Sequence, residues 1–139
     1  MSFLTESALL EANWREFERI ILRALQHAGW TGLMFTSKSH DQGADILGIP
    51  PKSNKPVVIQ CKHTGSTITG TQGVEDLRRA CDFYGTSRGI LVTNARLSES
   101  GKKRLHELNQ HYQLKEWSFS KLIELGQKFN NSVGKTYFK

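Results

Sequence analysis

The sequence predicts an α/β fold, a mixed sheet flanked by helices, from three observations. Helix-period and strand-period segments share the chain. Three strand-like runs follow one another between residues 30 and 62, the pattern of an antiparallel meander. Past residue 72, helical and strand segments take turns, as the crossovers of a parallel sheet require.

The elements follow in order. Residues 5–28 read as helix, with Phe17, Ile20, Ile21, Ala24, Leu25 and Ala28 recurring at helical spacing. Asn13 and Glu16 make a capping box, so the regular part starts there, and residues 1–12 form a separate N-terminal segment holding a short turn or helix. Gly29 stops the helix. Trp30–Ser37 is a strand with Leu33 and Phe35 on one face, Lys38–Gly43 a polar turn, and Ala44–Ile49 a second strand. The prolines of 50–56 exclude regular structure there. Val57–Lys62 is a β-branched third strand. A hydroxyl-rich loop, 63–72, leads to a helix at about 73–84 with Val74, Leu77, Ala80, Cys81 and Tyr84 inward, ended by Gly85. Arg88–Thr93 is the fourth strand. Ser98 caps a helix to about Asn109, with Leu105 and Leu108 inward. Gln113–Trp117 is the fifth strand, and Ser118 or Ser120 starts a last helix through Phe129. One domain over 13–129 is expected, with 130–139 as a linker or stub, Val133–Phe138 being its apolar part.

Composition excludes several classes. At 139 residues and 37% hydrophobic the chain can bury a core without disulfides. Its two cysteines, Cys61 and Cys81, have no zinc spacing, and Cys61-x-His63 lacks further ligands. They read as reduced, buried thiols of a cytoplasmic protein. No apolar run approaches the ~20 residues of a membrane span, and Glu6 and Glu11 stand where a signal peptide would be apolar. Gly134-Lys135-Thr136 echoes a phosphate-binding loop, but Phe129 stands where that motif needs glycine. The net charge of +6 favours a polyanionic partner, although Arg78-Arg79 and Lys102-Lys103-Arg104 would also suit solvated helix faces.

The informative residues are Asp41-Gln-Gly-Ala-Asp45 and Gln60-Cys61-Lys62. Alternation puts Gln60 and Lys62 on one face of their strand and Cys61, with Val57 and Ile59, on the buried one. A meander brings Asp45 beside Gln60. Hydrolysis of a phosphodiester needs a Lewis acid, an activated water and compensation of developing charge. Mg²⁺ takes one or two carboxylates and otherwise neutral oxygens. Asp45, the Gln60 amide oxygen and the Cys61 carbonyl match that set. Lys62 would orient water and offset charge, and Glu18 would add a water-mediated contact or serve a second cation. Each residue alone has a plainer reading: turn aspartates, an edge-strand lysine and a helix-surface glutamate.

Phe17-Glu18, Gly29-Trp30, Asp41–Asp45, Val58–Lys62 and Gly89–Thr93 together resemble the Mrr-type restriction endonuclease catalytic domain, of the PD-(D/E)xK nuclease superfamily. The resemblance spans roughly 13–125 and implies an αβββαβ core. It makes Asp45 the metal-binding acid, Gln60 the replacement of the second acid, Lys62 the catalytic lysine and Glu18 the helix-borne acid. Asp41 matches a frequent family position without a catalytic role. The implied activity is Mg²⁺-dependent endonucleolytic cleavage of DNA in defence against foreign or modified DNA, with Mn²⁺ as a substitute. A binding module that has lost catalysis, a junction or repair nuclease, and an interaction domain are the alternatives. Thr69, Gln72, Arg78 and Arg79 are candidates for the DNA backbone, at a hydroxyl-rich loop and helix N-terminus. A homodimer, or a fused or associated helicase or DNA-recognition domain, would complete the machinery.

Overall fold

In the computed structural model, residues 4–36 and 43–131 are described, with side chains over 4–36 and 46–127. Of the turn expected at Lys38–Gly43, residues 38–42 with Asp41 lie outside the described residues, as does the stub at 133–138, and Gly43 belongs to the second strand rather than the turn.

The opening helical stretch is two helices, α1 (Glu6–Glu11) and α2 (Trp14–His27). The Thr5 hydroxyl accepts from the Ala8 N–H to start α1. Asn13 and Glu16 complete the reciprocal capping box at the start of α2. The strands are β1 (Thr31–Phe35), β2 (Gly43–Ile49), β3 (Val57–Lys62), β4 (Arg88–Thr93) and β5 (Gln113–Trp117), hydrogen-bonded in that order across one sheet. β1, β2 and β3 are antiparallel neighbours, while β3, β4 and β5 run parallel. The crossovers are α3 (Gln72–Tyr84) and α4 (Glu99–Leu108), and α5 (Phe119–Asn131) follows β5. The αβββαβ order of the sequence reading is therefore present, preceded by α1.

Each face of the sheet has its own core. Ile46, Ile59, Cys61, Ile90 and Val92 point to α1, α2 and α5, where Leu9, Phe17, Ile21, Leu25 and Leu122 pack. Val58, Leu91 and Leu114 point the other way, to Val74, Leu77 and Cys81 of α3 and Leu108 of α4. Burial of such a side chain stabilises the fold by about 1.5–3 kcal/mol. α3 lies close on β4 because residue 89 is glycine: a Cβ there would stand 2.8 Å from Cys81 Sγ and 3.0 Å from Leu77 Cδ1. Gly85, at φ 71°, ends α3 in the left-handed conformation, as its sequence position indicated.

β1 departs from the expected alternation. Its pairing with β2 shifts register between Thr31 and Met34, as at a bulge. Leu33 packs on the core, but Phe35 is 42% exposed, so the two do not share a buried face. The segment is an edge strand with Trp30, buried, left before it.

Candidate active site

The antiparallel register of β2 and β3 sets Asp45 directly opposite Gln60 and Gly43 opposite Lys62. The Asp45 side chain lies outside the described residues. Gln60 and Lys62 continue the Val58 face toward α3, whereas Cys61 is buried on the other face and its residue pairs with both Ala44 and Val92. Both faces of β3 are covered, so Gln60 and Lys62 sit half-buried at the end of a core face rather than on an open one. β3 is also the central strand, which removes the reading of Lys62 as an edge-strand lysine.

Lys62 is held. Its ammonium donates to Asp76 Oδ2 at 2.8 Å. The other oxygen of that carboxylate, Oδ1, accepts from the Gln72 amide at 2.7 Å and the Arg79 guanidinium at 3.0 Å. Spacing along α3 explains the cluster, since Gln72, Asp76 and Arg79 fall four and three residues apart on one helix face. Burial pushes the Asp76 carboxyl up, but the hydrogen bonds from Lys62 and Gln72 and the charges of Lys62 and Arg79 outweigh it and hold the pKa below its ordinary value.

Glu18 lies on α2, in the layer across the sheet from α3, and is 9% exposed. Its Oε2 is buried with no hydrogen-bond partner among the described residues. Burial raises its pKa, against a smaller lowering by Arg15. The reading of Glu18 as a helix-surface carboxylate is thus overturned. Next to it in sequence, Phe17 packs its ring against His63 at 5.7 Å between centroids, and His63 Nε2 lies 3.0 Å from the Ala12 carbonyl. The residue after Lys62 is thereby tied to the α1–α2 corner.

The hydroxyl-rich segment after β3 is pinned rather than loose. Thr64 N–H donates to Asn94 Oδ1 at 2.9 Å, and Asn94 Nδ2 donates back to the Thr64 carbonyl at 2.8 Å. Ile68 bridges Leu97 in parallel, with hydrogen bonds to Arg96 O and from Ser98 N. The loops leaving β3 and β4 therefore form one platform at the carboxyl ends of the parallel strands, where open α/β sheets bind ligands.

The four expected DNA contacts are spread over this region. Thr69 and Gln72 are exposed, and Gln72 is engaged with Asp76. Arg78 pairs with Glu75 and Asp82 on its own helix, and Arg79 pairs with Asp76 while remaining 60% exposed. Both cations are therefore partly neutralised. Among the described residues no group of three His, Cys, Asp or Glu side chains gathers as a metal cluster. Asp76 is the participant that sequence reasoning missed; its one signal was the spacing to Gln72 and Arg79.

A profile of the Mrr catalytic family, described as restriction endonuclease, matches residues 9–125. No curated protein matches the chain significantly. Among solved structures, the crystal structure of AF1548, a protein of unknown function, is similar with a TM-score of 0.50 at 17% identity, over 76% of this chain and 62% of that one. The chain spans less than two thirds of that protein's length, and at this identity the likeness concerns the fold alone.

Proposed function

The chain belongs to the restriction endonuclease family of the Mrr catalytic domain, and from that premise we propose that it is a Mg²⁺-dependent endonuclease cutting DNA, with Asp45, Gln60 and Lys62 at its centre. The observation that carries the reading is the register of β2 on β3, which sets Asp45 opposite Gln60 and two strand positions from the level of Lys62.

The donors suit a hard divalent cation. Asp45 offers a carboxylate, Gln60 an amide oxygen and Cys61 a backbone carbonyl, a set Mg²⁺ or Mn²⁺ accepts while keeping waters. Glu18, whose buried Oε2 has no hydrogen-bond partner among the described residues, belongs to the α2 layer and would hold a water or a second cation there. Bound at Asp45 and Gln60, the cation would polarise the scissile phosphate and make water acidic enough to attack. The protein's own part is to hold the ligands on adjacent strands and to keep the Lys62 ammonium where negative charge develops on the phosphate oxygens. Thr69 and Gln72, beside the pinned loops, would meet the DNA backbone, with Arg78 and Arg79 behind them. The catalytic unit would be residues 13–129, buttressed by Leu4 and Leu9 of the N-terminal segment 1–12. A second copy, or a fused helicase or recognition domain, would supply target choice and a second cut. Defence against foreign or modified DNA in the cytoplasm is the proposed setting.

Gln60, in place of an acid, favours a second reading, a nuclease-like module that binds DNA without cutting. Incubation of supercoiled plasmid with the purified protein separates the two. Nicking is expected with Mg²⁺ or Mn²⁺ and not with EDTA. Asp45→Ala and Lys62→Ala should each lower it by about 10²–10³-fold or more while leaving circular dichroism unchanged. Either variant retaining full activity would sink the assignment, and a wild type that binds plasmid but never cuts it would favour the binding module.

A further inference from the structure

We infer that Asp76 is the positioning residue of the site, orienting the Lys62 ammonium through a carboxylate that α3 itself locks in place. The inference rests on the nuclease reading and adds to it a part outside the Asp45, Gln60 and Lys62 motif.

The geometry is specific. A lysine side chain at the end of a strand has four rotatable carbons' worth of freedom, and its charge is useful only where the reacting phosphate lies. In this protein that freedom is removed by one contact, the 2.8 Å bond from Nζ to Asp76 Oδ2. A carboxylate on a helix would normally rotate. Here Oδ1 is occupied by two donors, Gln72 from four residues before and Arg79 from three residues after, at 2.7 and 3.0 Å. With Oδ1 fixed, Oδ2 is left turned toward Lys62. The helix is fixed in turn: Val74 and Leu77 are fully buried against the sheet, and Gly89 lets α3 approach β4 closely. The chain of support therefore runs from the α3 core contacts to Asp76, and from Asp76 to Lys62.

The arrangement could also act as a latch that draws Lys62 away from the phosphate, and the two roles predict opposite signs. Positioning is favoured by the geometry of Oδ1. A latch must release, and a carboxylate held by two further donors on a buried helix is built to stay.

The test measures plasmid nicking by wild type, Asp76→Asn, Asp76→Glu and Gln72→Ala, with kcat, KM for DNA and the Mg²⁺ concentration for half-maximal rate read separately. Asp76→Asn should lose about 10- to 100-fold in kcat, the usual cost of removing a group that orients a catalytic one. Its Mg²⁺ midpoint should stay within about twofold of wild type, since no proposed metal ligand is touched, and KM should move less than kcat although Asp76 also holds Gln72 and Arg79. Asp76→Glu should recover part of the loss, because it restores the anionic acceptor. Gln72→Ala, which removes one of the two donors to Oδ1 and leaves Arg79 and the Lys62–Asp76 pair in place, should lose less in kcat than Asp76→Asn; because Gln72 is itself a proposed DNA contact it is read by kcat rather than KM, and it keeps the test alive if Asp76→Asn is unstable. A folded Asp76→Asn that cuts as fast as wild type, or faster, overturns this inference alone. So does a loss confined to KM or to metal affinity. A wild type that cuts nothing with Mg²⁺ or Mn²⁺ overturns the nuclease reading together with it.

Discussion

Glu18 puts a carboxylate at 9% exposure, with one oxygen lacking a partner among the described residues, a placement that destabilises the ionised form. Burial raises its pKa from the ordinary 4.5, the Arg15 charge offsetting part of this, so folding favours the protonated acid. The sign follows: the group's contribution to stability is fully favourable below about 4.5 and is lost as pH rises through the raised folded value. Glutamine has the shape of the protonated acid. Glu18→Gln should therefore melt near the wild-type temperature in acid and above it at about pH 8, while nicking plasmid more slowly. A variant that melts below wild type at the higher pH would show that the carboxylate is satisfied there and would withdraw the cation argument made from it. Glu18 was legible in the sequence only through the Phe17-Glu18 match; its burial was not, since a glutamate among Arg15, Glu16 and Arg19 has the look of solvent. Asp76 was less legible still. Flanked by Glu75, Arg78 and Arg79, it belongs to a pattern that solvated helix faces also show, and only the approach of α3 to the end of β3 distinguishes it.

Among the elements, β3 and β4 could be read directly because a strand covered on both faces needs an unbroken apolar run, as in Val57-Val58-Ile59 and Ile90-Leu91-Val92. β1 could not, because a bulge in an edge strand breaks the period that the reading relies on. The break between α1 and α2 was marked by the capping box, a signal carried by neighbouring residues alone. What joins α3 to α4 was invisible for the opposite reason, being a contact between residues far apart in sequence. Glu75 accepts from Arg78 at 2.9 Å on its own helix and also from Arg104 on α4. The Arg104 hydrogen bond first, and that of Arg78 next, hold the Glu75 pKa below 4.5. A depressed acid stabilises the fold fully above its unfolded value, and that contribution fades as pH falls through the folded one. Glu75→Gln should thus lower the urea midpoint at neutral pH, with the gap to wild type closing below about pH 4.5. A gap that stays constant down to acid pH would mean that glutamine disturbs packing instead, and the ion network would lose its assigned role.

On the scale of the whole molecule, the sheet separates two cores and leaves its chemistry at one end, where β2 meets β3 and the loops after β3 and β4 are bonded together. Leu4 and Leu9 lie in the same core as α2 and α5, so the N-terminal segment is structurally part of the layer that carries Glu18. The net charge of +6 was legible at once, but its distribution was not. Arg78, Arg79 and Arg104, which the sequence offered as a basic face, are matched by Glu75, Asp76, Asp82 and Glu107. A cation already beside a carboxylate displaces few counterions from DNA when the surfaces meet. Arg96 differs: it is exposed, has no ion pair among the described residues, and sits on the loop whose backbone is bonded to Ile68. If DNA is the substrate, affinity measured in EDTA, where no cutting occurs, should fall linearly in log K against log salt, by about 0.9 per phosphate neutralised. Arg96→Gln should flatten that slope by about one, and Arg78→Gln should change it much less, with circular dichroism showing both variants folded. The contrast between the two arginines carries the argument, since composition treats them alike and only the fold separates a paired cation from one without an ion pair among the described residues. An affinity indifferent to salt would remove DNA as the partner, and equal slopes for the two variants would move the binding face back to α3.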